Sequence, residues 1–244
     1  MKQYEAVIKT MGENGGYATL GFLYQHVPEV TDVEWKTKTP FASIRRIVQD
    51  PRFFFKIKPG LWALNSHAQS LPADILPKSS TSPKEKEVFD HSYYQGLIVE
   101  IGNLKKFTTS VPGQDKNKLF LGKKLGDLAK VKEFYHFTYD EVVKRASTID
   151  VVWFNERRMP NCCFEVEHST DISNSLLKFV ELQDFHTKFR IVADRRRQRE
   201  FLQKMRYRAF SAVSDHLRFI SYDELSDWHA RTHQLHLVES NLEF

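Results

Sequence analysis

Ser147-Thr-Ile-Asp150-Val-Val-Trp-Phe-Asn155, followed after a short break by Asn161-Cys-Cys-Phe-Glu165-Val-Glu167-His-Ser169, is the stretch on which the reading of this chain turns. Asp150 stands early in an apolar, β-branched run, and Glu165 and Glu167 flank one valine in a second such run. The intervening residues 156–161, with Arg157, Arg158 and Pro160, have the composition of a turn, which predicts two antiparallel strands. Side chains two apart on a strand share a face, so Glu165 and Glu167 are expected to point one way and Phe164, Val166 and Cys162 the other. Three carboxylates brought together repel. Unless solvent separates them, such a cluster calls for a bound cation or for raised pKa values.

This pattern resembles the PD-(D/E)XK nuclease superfamily, the fold of many restriction endonucleases, in which an Asp on one strand and a Glu-x-Lys on the next surround a divalent metal. Asp150 takes the first position and Glu165 the second. Glu167 stands where the family usually has lysine, as in those restriction endonucleases of the superfamily that carry Glu-x-Glu. The likeness extends over about 91–225. It runs through a helix expected at 84–103, an extended 107–110, the two acidic strands, a helix at 173–186 with Leu176, Leu177 and Val180 on its apolar side, and a strand at 189–193. The fold class implied is α/β (α+β), with a restriction-endonuclease-like αβββαβ core and a mixed sheet. The resemblance implies catalytic roles for Asp150, Glu165 and Glu167, with Mg²⁺ (or Mn²⁺) held by Asp150 and Glu165. It also makes Glu100, late in the first helix, an accessory ligand; an acid in a solvated or paired position is the plainer reading of Glu100.

Charge is unevenly placed. Residues 1–35 hold Lys2 and Lys9 against Glu5, Glu13, Glu29, Asp32 and Glu34, whereas 36–58 hold Lys36, Lys38, Arg45, Arg46, Arg52, Lys56 and Lys58 against Asp50. Tyr4, Val7, Ile8 and Met11 recur at helical spacing and stop at Gly12 and Asn14-Gly15-Gly16. A short helix is expected at 19–26, ended by Pro28. A third opens with Thr39 as N-cap and Pro40 in the first position, with Phe41, Ile44, Ile47 and Val48 on one face. A hairpin follows, Phe53, Phe55 and Ile57 alternating with Lys56 and Lys58 before Pro59-Gly60 and Leu61-Trp62-Ala63-Leu64. Three helices and a hairpin make the winged-helix order, and the segments T-P-F-A-S-I and F-F-F-K-I-K-P-G-L-W-A-L resemble the HARE-HTH type found beside nucleases and chromatin proteins. That resemblance implies DNA binding through Ser43, Arg45, Arg46 and Gln49 on the third helix, with Lys36, Lys38, Lys56 and Lys58 on phosphates. Winged helices also serve as protein–protein modules, and a basic surface is often only a solvated one.

The expected organisation is a winged-helix domain at 1–66, a linker rich in Pro, Ser and charge at 67–87, and a nuclease-like domain at 88–244. At 244 residues with 41% hydrophobic and 27% charged positions, the chain has the composition of an ordinary globular protein. No run approaches a membrane span, and the amino terminus does not read as a signal peptide, so a cytoplasmic location is expected. Adjacent Cys162 and Cys163 form no disulfide or zinc framework; one buried and one half-buried thiol is expected. Gln114, Asp115 and Lys116 either edge the acidic site or merely build a turn. The glycines at 113–126 match no phosphate-binding motif. A second basic concentration, Arg195 to Arg199 with Lys204, Arg206 and Arg208, suits a phosphate backbone or simply an exposed helix. His229, His233 and His236 read as surface histidines.

The expected function is therefore metal-assisted hydrolysis of double-stranded DNA by a restriction-type endonuclease, with a requirement for base modification left open. A homodimer or two binding events would be needed to cut both strands. The alternatives are a catalytically inactive DNA-binding regulator, whose mark would be acids set too far apart or capped by salt bridges, and a protein-interaction adaptor on the same folds.

Overall fold

The computed structural model describes residues 1–33, 35, 39–240 and 242. Its first element, α1 (Gln3–Glu13), buries Ala6, Val7, Thr10 and Met11 and ends where Gly15 and Gly16 take φ values of 81° and 88°, which a side chain would oppose. Strand β1 (Tyr17–Thr19) leads into α2 (Leu20–His26), whose first turn is closed by the Thr19 hydroxyl accepting from Phe22 N at 3.2 Å. Helix α3 (Phe41–Ile47) is capped at Pro40, one residue later than the Thr39 cap expected. Strands β2 (Phe54–Lys58) and β3 (Leu61–Leu64) complete a three-stranded antiparallel sheet of order β1-β3-β2. The strand at Tyr17–Thr19 was not anticipated from so short a run; its pairing Tyr17↔Ala63 is what forms it.

The phase of the hairpin also differs from expectation. Phe54 enters the core and pairs with Leu64, while Phe53 is half-buried against the Tyr4 ring at 5.1 Å. Three consecutive phenylalanines fix no alternation by themselves, and a register shift between Lys56 and Lys58 moves Ile57 out of step.

The chain divides into two compact units, one of 1–81 with 226–244 and one of 82–225. Within the segment read as a linker, Leu71 and Ile75 are buried, and helix α4 (Pro83–Leu104) already begins at Pro83 behind a Ser82–Glu85 capping box.

In the second unit α4 is followed by β4 (Thr108–Ser110), the small hairpin β5 (Leu119–Phe120) and β6 (Lys123–Lys124), α5 (Leu125–Leu128) and α6 (Asp140–Ala146). Then come β7 (Val151–Phe154), β8 (Pro160–Glu167), α7 (Ile172–Val180), β9 (Lys188–Ala193), α8 (Gln198–Lys204), β10 (Leu217–Ser221) and α9 (Tyr222–Ser240), the last passing into the first unit at Ser226. The sheet order is β10-β9-β8-β7-β4, with β8, β9 and β10 parallel and the β8–β7 and β7–β4 pairs antiparallel. This is the mixed sheet of the expected α+β class. Each parallel step is bridged by a helix, α7 and then α8, as parallel strands require.

Helix α7 covers one face, where Ile172, Leu176 and Phe179 pack with Val152, Cys163 and Ile191. Helix α4 covers the other, approaching so closely at Gly102 that a Cβ there would lie 2.5 Å from Trp153 Nε1. With both faces covered, Cys162 and Cys163 are both buried, which corrects the half-buried expectation for one of them. Helix α7 stops at Val180 rather than near 186, and Leu177 is 47% exposed because Ser175 and Phe179 take the inward positions. His229 is buried at 2% exposure, not on the surface, because the part of α9 beyond Ser226 packs into the first unit's core through Ala230 and Leu237.

Candidate active site and its buried carboxylates

The acidic hairpin is shaped by its turn. Asn155 Oδ1 accepts from the amides of Arg157 and Met159 at 3.0 and 3.1 Å, and Arg158 takes a left-handed φ of 61°. This closure gives the register Val151↔Phe164 and Val152↔Cys163. One further step sets Asp150, just before β7, across from Glu165. Glu165 and Glu167 share the face of Cys163, beneath α7, while Phe164 faces Trp153 on the other side at 4.6 Å between rings. The exposures of Asp150, Glu165 and Glu167 are 9%, 3% and 4%.

Each carboxylate has its own partners. Asp150 Oδ2 accepts from Val166 N at 2.8 Å, and Asp150 Oδ1 lies 3.4 Å from His91 Nε2. Burial disfavours the Asp150 anion, yet the hydrogen bond and charge of His91, with the Val166 amide and Lys178, hold its pKa below the usual value. Glu165 receives Lys178 Nζ at 2.8 and 3.0 Å on its two oxygens and the Ser175 hydroxyl at 2.9 Å. Lys178 also donates to Thr148 O at 3.0 Å. Burial first, and then repulsion from Asp150, push the Glu165 carboxyl well above the ordinary range despite Lys178. Glu167 accepts from Ser175 and Thr170, with Arg197 Nη1 3.8 Å away, and burial raises its pKa too. Asp150, just before β7, therefore acts electrostatically on Glu165 and Glu167 of β8.

A second set of groups meets Asp150. Among the described residues, one ligand atom each from His91, Asp115 and Asp150 lie within 4.8 Å of one another, a closeness that the trio Asp150, Glu165 and Glu167 does not reach. Asp115 is 2% exposed at the end of a 3₁₀ turn, Gly113–Asp115, with Lys118 Nζ 2.5 Å from its Oδ1. The Gln95 amide donates to Asp115 Oδ2 at 2.8 Å and to Asp150 O at 3.1 Å. Glu100 lies nine residues beyond His91 on α4. That is about 13 Å along the helix axis, so His91 and not Glu100 is the residue of α4 that reaches Asp150.

Three cations of the basic segment after β9 are engaged in structure. Arg197 donates to His168 O at 3.0 Å, to Thr170 O at 2.6 Å and to Glu200 at 2.9 Å, fastening the loop that leaves β8. Arg196 pairs with Asp194, and Lys204 lies 3.2 Å from Asp171. The Tyr222 hydroxyl donates to Glu167 O at 3.0 Å, and its ring stacks on Tyr94 at 3.8 Å.

In the first unit, Arg45, Arg46, Gln49 and Lys56 are exposed, and Ser43 and Lys58 half-buried. Arg45 Nη1 bonds Asp227 on α9 at 2.8 Å, a pairing that nothing in the local sequence announces. Lys36 and Lys38 lie outside the described residues. Sequence reasoning missed Lys178 and His91 as members of the acidic site. The one available signal was polar spacing: His91 and Gln95 fall at i, i+4 on α4, and Ser175 and Lys178 at i, i+3 on α7.

Comparison with known proteins places the chain in a family. The family model of the type II restriction enzyme NmeDI C-terminal domain matches residues 71–243. The type II restriction enzyme NmeDI of Neisseria meningitidis serogroup C is 29% identical over 99 residues, covering 38% of this chain and 28% of that protein. The chain thus matches little more than a quarter of the length of its curated relative. No solved structure matches. With most of its length under this one family model, the chain belongs to the type II restriction enzyme NmeDI C-terminal domain family.

Proposed function

We propose that this protein is a metal-dependent endonuclease of the restriction type, a PD-(D/E)XK-like module that hydrolyses phosphodiester bonds of double-stranded DNA. The observation that carries the reading is the pair Asp150 and Glu165, set across from each other on neighbouring strands, buried, and mutually repelling. An all-oxygen pair of this kind fits Mg²⁺, or Mn²⁺, and these two residues would hold it. When bound, the ion supplies Lewis-acid polarisation of the scissile phosphate and lowers the pKa of a coordinated water.

The rest of the chemistry falls to side chains. Lys178, bonded to both Glu165 oxygens and to Thr148 O, orients that carboxylate and brings a positive charge beside it. It supplies from α7 the ammonium that the strand lacks at Glu167. Glu167, raised by burial, is suited to accept a proton from an attacking water at an Oε atom, with Ser175 bridging it to Glu165. The first unit, read as a winged helix of HARE-HTH type, binds the duplex through Ser43, Arg45, Arg46 and Gln49 of α3 and the lysines Lys56 and Lys58 of β2, with Lys36 and Lys38 on the backbone. A homodimer would cut both strands.

The second reading, an inactive DNA-binding regulator, rests on two observations: Lys178 caps both oxygens of Glu165, and Asp150, Glu165 and Glu167 do not converge as closely as a ligand trio around one ion. Asp150 Oδ1 carries no such ammonium cap among the described residues and lies 3.4 Å from His91 Nε2, which favours activity. Digestion of modified and unmodified duplex DNA with Mg²⁺ tests the choice. Asp150→Ala is expected to abolish cutting, by about 10³-fold or more given the several kcal/mol a catalytic ion contributes. Cutting retained in that variant would remove Asp150 from the mechanism; no cutting by the unaltered protein on either DNA would favour the regulator.

A further inference from the structure

The geometry points to a second metal site, made by His91, Asp115 and Asp150, that takes a borderline divalent ion such as Mn²⁺. It shares Asp150 with the nuclease reading but does not depend on DNA being cut.

The three residues come from separate elements, α4, the 3₁₀ turn at Gly113–Asp115, and the residue preceding β7, and their ligand atoms lie within 4.8 Å of one another. Ligands around one divalent ion stand about 3–4.4 Å apart at bond lengths near 2.1 Å, so closure onto an ion needs only small side-chain movement. Both acids are buried, Asp115 at 2% and Asp150 at 9% exposure, and two buried carboxylates side by side require positive charge. Lys118 Nζ provides it now, 2.5 Å from Asp115 Oδ1, on a side chain 29% exposed that can turn out to water. The ammonium stands in for the cation that the oxygens are arranged to hold.

Two features support a ligand rather than a plain salt bridge. Gln95 braces the cluster, donating to the Asp115 carboxylate at Oδ2 and to the main-chain carbonyl of Asp150, as groups around metal ligands commonly do. Its other atom, Gln95 Oε1, is buried and has no hydrogen-bond partner among the described residues, although the same amide donates into the cluster. An acceptor left bare in that position suits the hydrogen of a water carried on the ion. One imidazole nitrogen with two carboxylates selects Mn²⁺, Co²⁺ or Zn²⁺ over Ca²⁺, which prefers an all-oxygen shell. His91, with its side chain 20% exposed, lies on the open side and gives the ion a route in.

Mn²⁺ binding to the full chain, followed by loss of the free-ion electron paramagnetic resonance signal, tests the site, with circular dichroism confirming the fold of each variant. His91→Gln and Asp115→Asn are each expected to weaken Mn²⁺ binding by at least about tenfold. Lys118→Ala is expected to tighten it by removing the competing ammonium, an effect that a purely structural lysine would not produce. Should Asp115→Asn fail to fold, His91→Gln and Lys118→Ala decide the matter. Wild-type affinity in both of those variants overturns the site, as does loss of binding in Glu165→Gln alone. The same proteins assayed on DNA separate the two ideas. Mn²⁺ binding that follows this pattern without any cutting upholds the site and overturns the nuclease reading. Cutting abolished by Asp150→Ala, with Mn²⁺ affinity indifferent to His91 and Asp115, does the reverse.

Discussion

The two units handle charge in opposite ways. In the second, Asp115, Asp150, Glu165 and Glu167 are all nine-tenths or more buried, and each is held by groups from another element: His91 and Gln95 from α4, Ser175 and Lys178 from α7, Arg197 from the segment after β9. In the first, Arg45, Arg46 and Lys56 are exposed and the core beneath them is apolar. Water screens the exposed charges and not the buried ones. Buried acids therefore carry large energies and fixed positions, fit for chemistry at one atom, whereas exposed cations act over distance on a polyanion and individually contribute little.

The contrast can be attacked at several strengths. The largest loss of stability is expected from Gly96→Ala on α4, where a Cβ would lie 2.1 Å from the buried Phe120 ring. About 3 kcal/mol is expected, read by urea unfolding, because neither the ring nor the helix has room to yield. An unchanged midpoint would mean that α4 is not pinned against β5, and with it the placement of His91 and Gln95.

Lys178→Met should cost about 2 kcal/mol by stranding Glu165, and adding Glu165→Gln should restore much of it. Strict additivity of the two substitutions would show that the pair is not coupled. Arg46→Ala in the first unit should instead leave the unfolding curve alone and weaken duplex binding evenly across sequences, lowering the salt slope by about one. A slope that does not move would take Arg46 off the DNA.

Asp227→Asn should have the smallest effect, about 0.5 kcal/mol at neutral pH for a half-exposed pair. Burial raises the Asp227 pKa, but the hydrogen bonds from Arg231 and Arg45 outweigh it and the net shift is downward. A depressed acid stabilises the fold above its unfolded pKa, and that contribution is lost as pH falls through the folded value. The difference between variant and parent should accordingly vanish in strong acid. The same variant releases Arg45 and should bind duplex DNA slightly more tightly.

The acidic hairpin was legible because a strand's two-residue period is written directly in its letters: Glu165 and Glu167 had to share a face, and the turn letters around Arg158 gave the reversal. The helices were legible through apolar spacing and through caps such as Thr19. What escaped were contacts between positions far apart in sequence. Nothing near His91 says that it will meet Asp150, and Lys178 became a partner of Glu165 only once α7 had packed on the sheet. Phase was lost where letters repeat, as in Phe53-Phe54-Phe55, because identical side chains carry no alternation.

The closure of the 155–159 turn by Asn155 has a consequence for how this protein can vary. β8 lies between β7 on one side and β9 on the other, so its register is locked twice. Removing or adding one residue in the turn would trade the places of Glu165 and Glu167 with those of Phe164 and Val166, putting carboxylates against Trp153 and aromatic carbon against Lys178. Replacing Glu156 or Arg157 leaves that geometry alone. The loop is free in spelling and bound in length.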